Sequence, residues 1–257
     1  PAPILQIGHV FAGHRLVRPL GRGGMGVVWE GEHLTLRRRA AIKIRLGDDG
    51  DAIGRERFLR EARAAAQVVH PHVVAVHDAG EDADIAYLAM ELVTGGSLQD
   101  LLRGSGADLD PTRAIRLVRD AAEGLAAVHA AGLLHRDLKP ANILMDLAGR
   151  PHIADFGLAR RDAGEITMTV EGRLLGTPAY MPPEQAAGDP VDERADVYAI
   201  GAMLYHLIAA VAPYHDAPWE KLLSTISAQP PRAIEKHAPA ISDELSAIVQ
   251  KAMARAP

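Results

Sequence analysis

The sequence predicts an α+β chain in two parts, a strand-rich N-terminal third with one main helix and a longer, mainly helical remainder. Three observations predict it. Short β-rich runs broken by glycine or charge recur through the first 93 residues. Helical periodicity dominates from residue 94 onward. Between them, Thr94-Gly95-Gly96-Ser97 is a cluster of turn formers where the composition changes. The boundaries read as 1–93 and 94–257, and a cleft between two such parts is the natural place for a ligand.

The elements follow in order. Arg15–Leu20, Val27–His33 and Arg39–Leu46 read as strands, and residues 55–69, rich in arginine, glutamate and alanine, as a helix. Strands are expected again at Val73–Asp78 and Ile85–Leu92. Helices are expected near 97–103, 111–131, 192–210, 217–227 and 242–254. Pro111 suits a first helical turn and Ser242 an N-cap.

Composition excludes several functions. The chain has no cysteine, which removes disulfides, thiolate metal sites and cysteine nucleophiles. A formal charge of −5 argues against a nucleic-acid or anionic-membrane binder. The Arg37-Arg38-Arg39 run reads as a solvated turn. The uncharged stretch Val197–Tyr214 contains His206 and Pro213 and directly follows Asp196, so it reads as a buried core helix, not a membrane span. His70, His72 and His77, separated by a strand, carry no metal-site pattern. The 28 basic residues are 23 arginines and five lysines, and the first 93 residues hold one lysine, Lys43. A lysine that persists against such a bias marks a place where a compact, mobile ammonium is wanted.

Three motifs carry chemistry. In L-G-R-G-G-M-G-V-V, Leu20 precedes Gly21, Gly23 and Gly26, with Val28 close behind. Glycines so spaced let backbone N–H groups approach phosphates, and their place between two strands argues against a dinucleotide-binding fold. One strand later A-A-I-K ends at Lys43, suited to the α- and β-phosphates of a nucleotide. Glu61 in the next helix is the candidate to hold that lysine, and Glu56 its rival. The third motif, H-R-D-L-K-P-A-N from His135 to Asn142, is followed thirteen residues later by Asp155-Phe156-Gly157. Together they supply oxygen donors for magnesium and a separate carboxylate to orient a nucleophile.

With these segments, H-P-H-V-V, G-T-P-A-Y-M-P-P-E-Q and A-D-V-Y-A-I-G, the chain resembles the eukaryotic-type serine/threonine protein kinases of bacteria, from about His14 to its end. The resemblance implies a bilobal protein-kinase-like fold: a small antiparallel N-lobe sheet with one main helix, and a larger helical C-lobe. It implies transfer of the γ-phosphoryl group of ATP to serine or threonine hydroxyls of proteins, with Mg²⁺ or, alternatively, Mn²⁺. Asp137 would orient the hydroxyl, Asn142 and Asp155 hold the metal, and Lys43 with Glu61 grip the α/β-phosphates. Lys139 would contact the γ-phosphate, and Thr177 would bond Asp137 and Lys139. Met90 resembles the gatekeeper and Glu91 to Val93 the hinge. Val28, Ala41 and Leu144 would sandwich the purine, and Asp196 would hold the catalytic-loop backbone.

Regulation follows from the same resemblance. Thr167 and Thr169 are expected to be autophosphorylated, with Arg136 as the partner of the phosphate. Expected partners are ATP and protein substrates, with no nucleic acid and a homodimer for trans-autophosphorylation. The domain is expected to be cytoplasmic, any membrane anchor lying outside these residues. Two departures stand out. Pro182-Pro183-Glu184 replaces the usual A-P-E or S-P-E, and is expected to stay extended. The arginine that pairs with this glutamate in relatives, and their last helix, do not precede Pro257, so the C-lobe is expected to be truncated and Glu184 unpaired. The rival readings are an inactive binding module, a small-molecule phosphotransferase and a tyrosine kinase. The first would lack Lys43, Asp137, Asn142 or Asp155, and the other two would lack Lys139 in this context.

Overall fold

The computed structural model describes residues 5–23, 26–46, 52–105, 109–156 and 178–255. The chain divides into two compact units, Pro1–Val93 and Thr94–Pro257.

The first unit is an antiparallel sheet with one helix. Its elements are β1 (Val10–Phe11), β2 (His14–Gly23), β3 (Gly26–His33), β4 (Arg39–Arg45), α1 (Ala52–Ala65), β5 (Val76–Asp82) and β6 (Ile85–Met90). The strands lie in the order β1-β2-β3-β4-β6-β5. Side chains alternate between the two faces of a sheet, so cross-strand partners share a face. Trp29, Ile42 and Ala89 are in register and join Phe11, Leu16, Ile44 and Tyr87 in a buried cluster. Val28, Lys43 and Leu88 are in register on the opposite face, as are Glu30, Ala41 and Met90. Glu30 is buried there between the guanidinium groups of Arg18, at 2.8 Å, and Arg39. Arg37, Arg38 and Arg39 are all exposed.

Three elements differ from the sequence reading: β1, a two-residue edge strand, is not among those expected, and β5 and α1 have other bounds. β5 begins at Val76 instead of Val73, because Val73 and Val74 are buried outside the ladder while the strand itself is the polar edge run V-H-D-A-G-E-D. An edge strand with half-buried side chains carries no apolar alternation to read. α1 ends at Ala65, four residues early, where Gln67 N and Val68 N turn back to carbonyls three residues away and Val69 is 92% exposed.

The second unit contains α2 (Leu98–Ser105), α3 (Pro111–Ala130), β7 (Ile143–Met145), β8 (Pro151–Ile153), α4 (Pro183–Ala187), α5 (Glu193–Ala209), α6 (Leu222–Ala228) and α7 (Asp243–Ala252). Three helices open on capping side chains. Asp110 accepts from Thr112 N ahead of Pro111, Asp192 from Arg194 N, and Ser242 from Leu245 N. α5 is the centre of this unit, buried on most of its surface and packed by α3 and α7. That burial explains the uncharged run noted above, and no helix among the described residues is long and apolar enough to cross a membrane. The helix expected at 217–227 is a single 3-10 turn, Trp219–Lys221, followed by α6. Pro218 keeps the residue before it out of a helical conformation.

The Pro182-Pro183 pair departs from expectation in one respect. Pro182 is extended, with φ −73° and ψ 158°, but Pro183 opens α4. A proline at the first helical position has the required φ and lacks only an N–H that would have no intrahelical acceptor.

Two tests follow. A Cβ at Gly201 would stand 2.7 Å from Ala252 Cβ and 3.1 Å from Met253 Cγ. Gly201→Val should therefore push α5 and α7 apart and cost about 1–3 kcal/mol in urea unfolding. At one end of the first sheet, His14 Nδ1 donates to Ala12 O at 2.6 Å, and the His14 and His33 rings meet edge to face. Burial, first of all, lowers the pKa of both His14 and His77 below the ordinary 6.5. The unfolded chain then binds these protons more tightly. Stability should be full above pH about 6.5 and fall as the pH drops through the lowered values. Thermal unfolding of His14→Gln should show a shallower loss over that window than the parent; an identical slope would refute the assignment.

Candidate active site

In the first unit the glycine-rich turn joins β2 to β3, with Gly21 opposite Val28 and Gly23 opposite Gly26. Gly26 has φ +148°, and a Cβ there would lie 2.1 Å from Ile44 O, so no other residue fits without moving β4. Gly21, Gly23 and Leu20 are exposed. Lys43 lies in the middle of β4 and is only 8% exposed. α1 buries Phe58, Glu61, Ala62 and Ala65, one stripe at helical spacing, while Glu56 is exposed. Of the two candidate carboxylates, Glu61 is thus the one on the buried face. Val28, Ala41, Lys43 and Met90 share a sheet face, and β6 runs directly into Glu91, whose N–H donates to Ala75 O at 2.8 Å. Val93 follows, half-buried.

In the second unit the chemistry-bearing residues lie on one short loop and the strand beside it. β7 and β8 pair Ile143 with Ile153, and Ala154 N donates to Asn142 O at 2.9 Å. This brings the residues before β7 next to those after β8, and so sets Asp155 beside the loop carrying Asp137 and Asn142. His135 is fully buried and spans the same gap. Its Nε2–H donates to Ala154 O at 3.0 Å, while its Nδ1 accepts from Asp137 N at 3.4 Å. Burial lowers its pKa, which keeps the ring neutral with one donor and one acceptor.

Asp137 accepts from Lys139 Nζ at 2.7 Å, and both side chains are partly exposed. Asn142 Nδ2 donates to Asp137 O at 2.8 Å, so the NH₂ end of its amide faces the loop carbonyl. Arg136 and Asp155 both have φ +62°, a left-handed conformation that costs a non-glycine residue about 1–3 kcal/mol. Leu144 is half-buried in β7 and bridges to Ser97.

The loop is held from below by Asp196 on α5, which is 2% exposed. Its Oδ2 accepts from His135 N and from His129 Nε2, and its Oδ1 from Arg136 N, all at 2.8 Å. Burial alone would raise this carboxyl's pKa, but those hydrogen bonds outweigh it and hold the group below its ordinary 3.8.

Two contacts escaped the sequence reading. His129, the imidazole on Asp196, continues a stripe of α3 that includes Ala121 and Leu125, so its signal is a polar residue at an otherwise apolar spacing of four. Gln185 on α4 donates to Arg136 O at 3.0 Å, and nothing in its neighbourhood in sequence announces this. Thr167, Thr169, Gly157 and Thr177 lie outside the described residues. Separately, a groove of about 420 Å³ is lined by Glu184, Val197, Tyr198, Ile248 and Ala252.

The protein kinase domain family matches residues 14–257. Serine/threonine-protein kinase pkn2 of Myxococcus xanthus is 41% identical over 89% of this chain and 28% of its own length. Serine/threonine-protein kinase PknJ of Mycobacterium tuberculosis is 37% identical over 98% of this chain and 44% of its own. The chain thus spans less than half the length of these curated relatives. The crystal structure of a point mutant of the PknI kinase domain of Mycobacterium tuberculosis superposes with a TM-score of 0.76 at 32% identity, covering 99% of this chain and 92% of that one. The fold is the α+β, two-lobed fold of that structure, and the chain belongs to the protein kinase domain family.

Proposed function

We propose that this domain transfers the γ-phosphoryl group of ATP to serine and threonine hydroxyls of protein substrates. The observation that carries the reading is the Asp137–Lys139 pair on a loop whose backbone is fixed by the buried Asp196 carboxylate. Phosphoryl transfer asks for positioning and charge stabilisation, and a rigid loop with one carboxylate and one ammonium offers both.

Asp137 orients the acceptor hydroxyl and takes its proton as the new oxygen–phosphorus bond forms. The bond from the γ-phosphorus to the bridging oxygen breaks, and ADP leaves with that electron pair. Lys139, 2.7 Å from Asp137, offsets negative charge on the transferring group. Lys43, held by Glu61, grips the α- and β-phosphates, and Gly21, Gly23 and Gly26 leave backbone N–H groups open to them. Val28, Ala41 and Leu144 pack on the purine, with Met90, Glu91 and Val93 at its edge. Asn142 and Asp155 present an amide oxygen and a carboxylate, hard donors that fit Mg²⁺ or Mn²⁺. The cation, when bound, neutralises phosphate charge.

Activation-loop phosphorylation on Thr167 and Thr169 completes the reading. Arg136 Nε is buried and meets no acceptor among the described residues, which suits it to a phosphate. Phosphorylation in trans calls for a transient homodimer, and the need for ATP assigns the domain's work to the cytoplasm.

Incubation with labelled ATP and Mg²⁺ should place label on Thr167 or Thr169, read by mass spectrometry. Asp137→Asn should lower turnover about 10²- to 10⁴-fold, the usual contribution of a positioned general base. Full turnover in that variant would sink the assignment. Thr167→Ala with Thr169→Ala should reduce phosphorylation of an added substrate severely, and unchanged turnover would remove the regulatory part alone.

A further inference from the structure

We propose that Gln185 is a positioning residue for Asp137, acting through the peptide that joins Arg136 to Asp137. The inference rests on reading Asp137 as the group that meets the substrate hydroxyl. All four backbone polar groups of these two residues bind a side chain, each a different one. Arg136 N donates to Asp196, Arg136 O accepts from Gln185, Asp137 N donates to the His135 ring, and Asp137 O accepts from Asn142. His135, Asp137 and Asn142 belong to one loop, and Asp196 lies beneath it. Gln185 comes from α4, the first α-helix after residues 157–177.

The contact falls where the backbone most needs support. Arg136 has φ +62°, and a bulky residue in that conformation relaxes unless its neighbours hold it. Turning the peptide after Arg136 would change ψ of Arg136 and φ of Asp137, and so swing the Asp137 carboxylate away. The carbonyl that Gln185 grips, at 3.0 Å, is the one that would rotate. Because a carbonyl only accepts, the NH₂ end of the amide must face it, which fixes the orientation of Gln185.

The platform is itself rigid. Pro183 opens α4, Gly188 closes it in a left-handed conformation, and Ala186 N donates to Pro182 O at 3.0 Å. Just upstream, the Tyr180 hydroxyl meets His206 Nδ1 on α5 at 2.6 Å. Gln185 therefore links the segment that follows the activation-loop threonines to the peptide that aims Asp137. A shift of about 1 Å in such geometry is enough to cost about 10²-fold in rate.

The test uses the whole chain, with myelin basic protein as a generic acceptor. Gln185→Met keeps the length of the side chain and removes the donor. It should lower kcat about tenfold or more while leaving KM for ATP and the melting temperature close to the parent. Gln185→Glu sets a carboxylate against the carbonyl at neutral pH, and regains an O–H donor once protonated. Its kcat relative to the parent should therefore rise as the pH falls toward about 5.5, whereas the Gln185→Met ratio should stay flat. A purely structural glutamine would not produce that profile, and the ratio remains informative if Gln185→Met proves unstable. A parent-like kcat in Gln185→Met, or a pH-independent ratio in Gln185→Glu, overturns the proposal. Asp137→Asn run beside them separates the two readings: if it retains turnover, both fall, and if it is inactive while Gln185→Met is not, only this one does.

Discussion

A single buried carboxylate sets the geometry of the second unit. Asp196 lies on the most buried helix of the chain, where an unpaired charge would be strongly unfavourable. It is tolerated because three donors converge on it, two of them backbone N–H groups of the loop above. Those N–H groups belong to His135 and Arg136, residues in no helix or strand, so without Asp196 they would be buried with nothing to donate to. Each side supplies what the other needs. The loop conformation is thereby tied to the position of α5, and α5 to its packing on α3 and α7.

Two residues of the proposed site carry backbone strain. Arg136 and Asp155 both occupy left-handed backbone conformations, one immediately before Asp137 and one at a proposed metal ligand. Such conformations persist only where the surroundings over-determine them. Here the surroundings are specific: His135 fastens the loop to Ala154 by its ring, and β7 and β8 fasten the same two segments by their ladder. The N-terminal unit uses a different device. Strand register alone puts Val28, Ala41, Lys43 and Met90 on one face, and a close approach at Gly26 keeps the start of β3 against β4.

Much of this was legible in the sequence, for reasons that differ by element. The glycine turn, Lys43 and the His135–Asn142 loop carry their signal within a few residues, because each does its work through local backbone or one side chain. The choice between Glu61 and Glu56 was not local, and only the buried stripe of α1 decides it. β1 and β5 were missed or misplaced because edge strands need no apolar alternation. The small β7–β8 pair, three residues a side, was too short to leave a pattern. His129 and Gln185 were invisible for a deeper reason. Their partners lie 67 and 49 residues away in sequence, and a hydrogen bond at that separation leaves no periodic trace.

That same separation has a consequence for how the protein comes to exist. The bond from His135 N to Asp196 closes a loop of 61 residues, and the entropy of that closure opposes its formation. Contacts of this range are made late, after the entropy of closing the intervening chain has been lost. The chain can therefore collapse and acquire helices while the Arg136–Asp137 backbone is still relaxed. Catalytic competence becomes a property of the last steps of folding, and recovery of activity should lag recovery of helical structure during refolding.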